Sequence, residues 1–308
     1  MPKYGVIDLG SNSIRLVIYS VKDNASKPFS KKDFRSIINE KKIAGLSAYV
    51  VDGVFTEDGV RKAVDVLGEH LRRARNFDCA DIRIFATAVL RNCANSKEAT
   101  EAISEGIDFP IEMISARDEA HLGFIGATCD RRIESGTLID IGGGSTELTV
   151  IEDGTDTLNI SLDQGSVSSY AEFVEMILPT VDEMRAIEAA FKTRLATVED
   201  LGVYHAPKLY GIGGSVRAAA KLYGEAFGGS GRPKLLERHQ LDAAVTLLER
   251  SPSTFAHRAV KAVPERLHTV IPGSLIALTL MRELGADRLE ICKYGIREGY
   301  LIKRILNG

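Results

Sequence analysis

The 308 residues carry 39 lysines and arginines against 42 aspartates and glutamates, a formal net charge of −3, which leaves no bulk basic footprint for nucleic acid. A chain of this length exceeds what one hydrophobic core usually supports, and its 44% hydrophobic content can fill two, so two domains are expected. No apolar run approaches the roughly 18 residues that span a bilayer, Cys79, Cys93, Cys129 and Cys292 form no CxxC pair, and His70, His121, His205, His239, His257 and His268 lack metal-ligand spacing. The expectation is a cytoplasmic protein with buried thiols, no zinc site or disulfide framework, and neither nucleic acid nor membrane as a partner.

In chain order, "YGVIDLGSNSIRLVIYSV" (4–21) is a strand, a Gly/Ser/Asn turn and a second strand, a hairpin pattern. Residues 26–42 hold six basic and two acidic side chains, readable either as a solvated edge strand with its loop or as a phosphate-attracting rim. Val60, Val64, Leu67 and Leu71 keep helical spacing within 56–75, and "DIRIFATAVLR" (81–91) is a strand running into a helix start. "FPIEMISARDEAHLGFIGAT" (109–128) is a strand and then a helix, with Ser115 at the N-cap and Asp118 three residues on, which places Glu119 in the first turn. "GTLIDIGGGSTELTVIEDG" (136–154) repeats the opening hairpin, "PKLYGIGGSVRAAAKLYG" (207–224) is a strand, a glycine turn and an Ala-rich helix, and "RLEICKYGIREGYLIKRIL" (288–306) ends in a helix.

The repeat is specific: Asp8, Gly10, Ser13 and Leu16 return as Asp140, Gly142, Ser145 and Leu148, each 132 residues later without a gap. Alternating strands and helices with a duplicated hairpin predict two α/β domains of related topology, 1–122 and 123–297, with a cleft between them where the two turns meet. The final helix, 298–308, is expected to pack back on the first domain through Tyr300, Ile302 and Ile305.

Gly/Ser turns let backbone N–H groups face outward unobstructed and so make anion sites. Gly142, Gly143, Gly144, Ser145 and Thr146 fit that role in one turn, and Ser11, Asn12 and Ser13 in the other. The carboxylates of Asp8, Asp140 and Glu147 would repel phosphate unless a cation intervenes, so Mg²⁺ binding or water orientation is their expected work. Arg15 stands where Glu147 stands in the repeat, which makes the two turns chemically unequal. Neither GxxxxGK[ST] nor a GxGxxG opening a βαβ unit is present.

Through "DLGSNS" (8–13), "TAVLRNCAN" (87–95), "ISARDEA" (114–120), "DIGGGSTEL" (140–148), "GIGGSVRAAA" (211–220), "PERLHTVIPGSLI" (264–276) and "YGIREG" (294–299), the chain resembles the exopolyphosphatase / guanosine pentaphosphate phosphohydrolase family in its short two-domain form. The resemblance implies duplicated actin-like (ribonuclease H-like) domains and an Mg²⁺-dependent homodimer. It implies release of terminal phosphate from polyphosphate, or of the 5′ γ-phosphate from guanosine pentaphosphate, by water. Residue by residue it makes Glu119 the general base, gives Asp140 and Glu147 the metal or water, and gives Ser11, Arg91, Gly143, Gly144, Ser145 and Thr146 the phosphates.

Two departures bear on the site. Where relatives often read "SGxEEA" this chain reads "SARDEA", and "EKKIAGLSAYVVDG" (40–53) lacks the arginine of a "VRL"-like segment, leaving Lys41 and Lys42 as the nearby cations. Two other functions remain open from the residues: an ATP-dependent kinase or ATPase with "GIGGSVRAAA" around a nucleotide, and a non-enzymatic polyphosphate or guanosine tetraphosphate sensor. Three carboxylates beside a phosphate site speak against the sensor, because plain anion binding does not favour them.

Overall fold

The computed structural model describes residues 1–228 and 233–307. The chain folds as two compact units, Met1–Arg132 with Tyr294–Gly308, and Ile133–Lys293. The junction lies after residue 122 because the helix begun at Ala116 continues to Thr128, buries Leu122 in the first unit's core and rests its Gly126 on the Gly295 backbone. Residues 123–132, assigned by sequence pattern to the second domain, therefore cluster with the first.

In the first unit, β1 (Lys3–Leu9) and β2 (Ser13–Val21) form the opening hairpin, and β3 (Phe34–Ile43) is the edge strand beside β2. A two-stranded ribbon of β4 (Val50–Val51) and β5 (Val54–Phe55) precedes α1 (Glu57–Asn76). Then come β6 (Asp81–Ala86), α2 (Ala88–Arg91), α3 (Ser96–Ile107), β7 (Glu112–Met113) and α4 (Ala116–Thr128). The sheet order is β3-β2-β1-β6-β7, antiparallel across its first three strands and parallel thereafter. Strand periodicity of two sorts the core into two faces. Ile7, Leu9, Ile14, Leu16 and Ile18 face α1 residues Ala63, Leu67 and Leu71, while Val6, Val17, Tyr19 and Phe85 face Leu122, Tyr300, Leu301 and Ile302.

Two of the edge strand's charges pair with α1: Lys42 with Glu69, and Glu40 with Arg73. That helix is legible from its ends, since Thr56 accepts from the Gly59 N–H and acidic residues open it while Arg73 and Arg75 close it.

His70 on α1 is buried, with Nε2 3.3 Å from the Ile14 carbonyl oxygen. Burial pushes its pKa below the usual imidazole value, only partly offset by that hydrogen bond, and Lys42 adds to the depression. The unfolded chain takes up this proton near pH 6.5 whereas the folded chain resists it, so stability is complete above that pH and falls as pH drops below it. The urea midpoint is expected to decline between about pH 7 and 5.5, and less steeply in His70→Gln. Identical slopes for the two proteins would acquit His70.

In the second unit, β8 (Gly136–Ile141) and β9 (Thr146–Glu152) form the repeated hairpin, followed by β10 (Thr155–Leu162), α5 (Ser166–Phe173), α6 (Val181–Leu195), β11 (Lys208–Ile212) and α7 (Gly213–Phe227). β12 (Leu235–Glu237), α8 (Arg238–Arg250), α9 (Pro252–Ala262), α10 (Val270–Glu283) and β13 (Arg288–Ile291) complete it. Its sheet runs β10-β9-β8-β11-β13-β12. Its first five strands repeat the first unit's order and strand directions, the ribonuclease H-like arrangement, and β12 adds an antiparallel edge. α10 is apolar on all sides and buried from Val270 to Met281, as a helix wholly inside a core must be.

The chain closes in the first unit with α11 (Ile296–Tyr300) and a π-helical turn over Leu301–Leu306. α11 crosses α4 glycine to backbone: a Cβ on Gly126 would strike the Gly295 carbonyl, and one on Gly299 would strike the Leu122 carbonyl. Tyr300 and Ile302 are buried there and Ile305 packs alongside. Cys93, Cys129 and Cys292 are buried, with the Cys129 thiol pushed up to about 12 by burial and by Glu298, whereas Cys79 is partly exposed. No helix among the described residues is long and apolar enough to cross a membrane.

Candidate active site

The sequence repeat is also a repeat of register. Asp8 faces Arg15 and Leu9 faces Ile14 across the first hairpin; Asp140 faces Glu147 and Ile141 faces Thr146 across the second. Each loop closes with the same backbone bond, Gly10 N–H to the Ser13 carbonyl at 3.2 Å and Gly142 N–H to the Ser145 carbonyl at 2.9 Å.

What holds each turn decides which way its amides point. In the second turn the Gly142 carbonyl accepts from the Ser166 N–H and hydroxyl, both at 3.0 Å, and the Gly143 carbonyl accepts from Val167 and Ser168 N–H at 2.8 and 3.0 Å. These carbonyls supply acceptors that the start of α5 needs. In a planar trans peptide the N–H points opposite to the C=O, so the Gly143 and Gly144 amides are directed away from α5 as a pair of donors. In the first turn the Ser11 carbonyl accepts from Ser47 N–H and the Asn12 carbonyl from Ala44 and Gly45 N–H, all at 3.0 Å. The amides of Asn12 and Ser13 are thereby turned away from residues 44–47. The Asn12 Nδ2 is buried without an acceptor, a further donor on this turn.

The hydroxyls behave differently from expectation. Ser145 donates to Glu147 Oε1 at 2.6 Å, joined by Ser161 at 3.0 Å, and Thr146, fully buried, donates to the Gln164 carbonyl at 2.7 Å. Both predicted phosphate hydroxyls of this turn donate internally, which leaves the backbone amides as its outward donors. Glu147 is 2% exposed and fixed by the two serines.

Gly165 was not singled out by sequence, yet it sets the turn's position. A Cβ there would lie 2.5 Å from the Gly143 carbonyl oxygen and 2.8 Å from that of Gly142. Its φ of −132° suits any residue, so the requirement is purely steric. Gly165→Ala must therefore displace the turn, and displacements of about 1 Å cost on the order of 10²-fold in rate. A kcat/KM loss of that order with a folded protein is expected, and unaltered kinetics would show that the turn does not position substrate.

Asp140 lies against the first residue of α7. Gly213 has φ +85°, and a side chain there would also strike Asp140 Oδ1; a Cβ on the next residue, Gly214, would strike the Arg266 guanidinium. The two glycines exist so that Asp140 and Arg266 can rest on consecutive residues of one helix N-terminus. Arg266 lay unremarked within "PERLHTVIPGSLI" because nothing local announces its destination. The same glycines, suggestive of a nucleotide cradle in the sequence, are covered by these side chains.

Among the described residues no group of three or more His, Cys, Asp or Glu is placed to hold a metal ion. Asp140 and Glu147 face each other in antiparallel register, so their side chains leave the same face of the sheet. Two carboxylates suit Mg²⁺, which commonly takes its other ligands from water and substrate phosphates.

Back in the first unit, Arg91 ends α2 and its Nη1 reaches Glu119 Oε2 at 2.6 Å and the Ile114 carbonyl at 3.3 Å. The pair is mostly shielded, with side-chain exposures of 16% and 12%. Glu119 sits in the first turn of α4, which starts as the sequence indicates: Ser115 Oγ accepts the Asp118 N–H at 3.0 Å and donates to its carboxylate at 2.9 Å. Asp118, the departure from relatives, supplies both the capped N–H and the carboxylate that receives the Ser115 hydroxyl. Arg304 from the C-terminal turn bridges Asp118 at 3.1 Å and Glu112 at 3.3 Å, and Tyr300 donates to Glu112 at 2.5 Å. The Tyr300 pKa is raised by burial and by that carboxylate. Asp8 is held by Arg297 of α11, Nη1 to Oδ2 at 2.7 Å, another partner invisible to local pattern.

Residues 17–307 match the Ppx/GppA phosphatase family. "Exopolyphosphatase 1" of Mycobacterium leprae is 23% identical over 310 residues, 98% of this chain and 89% of that protein. A "Guanosine-5'-triphosphate,3'-diphosphate pyrophosphatase" of Pseudoalteromonas atlantica is 25% identical over 310 residues, 99% of this chain and 59% of its own length. Among solved structures, an exopolyphosphatase from Cytophaga hutchinsonii superposes with a TM-score of 0.85 at 19% identity, covering 99% of this chain and 98% of its own. The Aquifex aeolicus family member does so with 0.77 at 23%, covering 99% and 98%.

Proposed function

This chain belongs to the Ppx/GppA phosphatase family, and we propose that it is an exopolyphosphatase, splitting the terminal phosphoanhydride of linear polyphosphate, or the 5′ γ-phosphate of guanosine pentaphosphate, to release orthophosphate. Glu119 is the general base on the attacking water. The observation that carries this reading is the shielded Arg91–Glu119 pair, which puts a carboxylate beside a guanidinium at the start of a helix. Phosphoryl transfer asks the protein for charge neutralisation and an in-line nucleophile, with little covalent chemistry. Arg91 supplies a planar fork for phosphate oxygens and simultaneously aims Glu119, whose carboxylate takes the water's proton.

The outward amides of Gly143, Gly144, Asn12 and Ser13 bind phosphate oxygens, with Asn12 Nδ2 and the Ser11 and Ser13 side chains as further donors. Asp140 and Glu147 hold Mg²⁺, which when bound neutralises phosphate charge. The two substrate candidates are those for which the relatives are named.

Purified protein with Mg²⁺ is given long-chain polyphosphate, guanosine pentaphosphate or ATP in separate incubations and orthophosphate release is followed. Turnover of polyphosphate or guanosine pentaphosphate is expected. Turnover of ATP alone would sink the reading in favour of an ATPase, and binding without turnover in favour of a sensor.

A further inference from the structure

The two hairpins are equivalent in sequence and register, but their aspartates have different neighbours. Asp140 lies against the start of α7, at Gly213. Its counterpart Asp8 is locked by a guanidinium from the far end of the chain, at 2.7 Å and with side-chain exposures of 18% for Arg297 and 14% for Asp8. Asp8 Oδ1 lies 3.8 Å from where a Cβ of Gly10 would stand, so the carboxylate is directly beside the first turn. Left unbalanced, it would repel any phosphate bound by the amides of that turn.

We propose that Arg297 is a positioning residue that cancels the Asp8 charge, so that the first turn binds phosphate without a metal ion of its own. The two turns then differ in what stands beside the aspartate: the Arg297 guanidinium at Asp8, and the Glu147 carboxylate on the same face as Asp140. Arg297 is itself fixed by its surroundings. The neighbouring Glu298 is held by neutral donors, the Tyr19 hydroxyl at 2.8 Å and the Gly295 N–H at 3.0 Å, and α11 is pressed against α4 by the glycine contacts. Arg297 donates to Asp8 through Nη1, while its Nε is buried without an acceptor among the described residues.

The proposal rests on the reading of the first turn as a phosphate site, and calorimetry with inorganic tripolyphosphate separates the two. If the wild-type protein does not bind tripolyphosphate, the phosphate-site reading itself has failed. Given binding, Arg297→Met is expected to weaken it at least about tenfold by exposing the Asp8 charge. Removing a buried partner can also unfold a protein, so the deciding variant is Arg297→Met combined with Asp8→Asn, in which position 8 carries no charge and Glu298 keeps its Tyr19 and Gly295 donors. That double variant is expected to melt near the wild type and to bind within about threefold of it, and Asp8→Asn alone to bind no more weakly than wild type. A double variant that melts normally yet binds as poorly as Arg297→Met folds and binds would overturn the proposal, because Arg297 would then be touching phosphate directly. Loss of binding in Asp8→Asn alone would overturn it as well.

Discussion

Replacing Glu119 by glutamine is expected to lower kcat on polyphosphate by about 10²–10⁴-fold, roughly 3–5 kcal/mol of barrier, with little change in thermal midpoint. Glutamine fits the same space and can still accept from Arg91, but it cannot take a proton from water. The Ser115 cap on Asp118 and the Arg304 bridge to Asp118 do not involve this side chain, so the start of α4 stays in place. Substrate affinity is expected to hold or rise, since one negative charge near the phosphates is gone. Activity within about threefold of wild type would remove Glu119 from the role of base.

Arg91→Met is expected to damage both kinetic parameters, because Arg91 is asked to bind phosphate and to aim Glu119 at once. A kcat/KM loss on the order of 10³-fold combines a lost phosphate contact with a misplaced base. Arg91→Lys should recover only part of this, since an ammonium cannot span phosphate, carboxylate and the Ile114 carbonyl as a planar fork does. Full recovery with lysine would mean that point charge alone is needed. A change in KM with kcat untouched would mean that Arg91 does not position Glu119.

The parts of this molecule that could be read from sequence are those fixed by neighbours in the chain. The hairpin turns, the Ser115 cap and the position of Glu119 all follow from residues within a few places of one another, and the ungapped repeat carried the register of both hairpins. Parts fixed by distant neighbours stayed hidden. Arg297 meets Asp8 across 289 residues, and the reach of Arg266 to Gly214 shows only once α7 and the segment before α10 are placed. The hydroxyls of Ser145 and Thr146 looked like phosphate donors because composition records the group and not its direction. At the end of the turn and the start of β9 both side chains are buried, Ser145 satisfying Glu147 and Thr146 a backbone carbonyl. Gly165 escaped notice for the same reason, since a glycine needed for space, at an ordinary φ, carries no signature of its own.

The boundary between the units illustrates a third limit. The expected edge at 122/123 falls inside α4, but α4 is both the carrier of Glu119 and the platform for α11, and so stays whole with the first unit, whose edge lies after Arg132 and still ahead of the second hairpin.

Water as the direct attacker is the core of the account, and isotope transfer reads it without reference to any variant. Long-chain polyphosphate is digested with Mg²⁺ in ¹⁸O-enriched water and the released orthophosphate is weighed by mass spectrometry. Each orthophosphate released from a chain end is expected to carry a single solvent oxygen, with no nucleotide required. Orthophosphate free of solvent oxygen, or loss of polyphosphate only when a nucleotide acceptor is supplied, would contradict it.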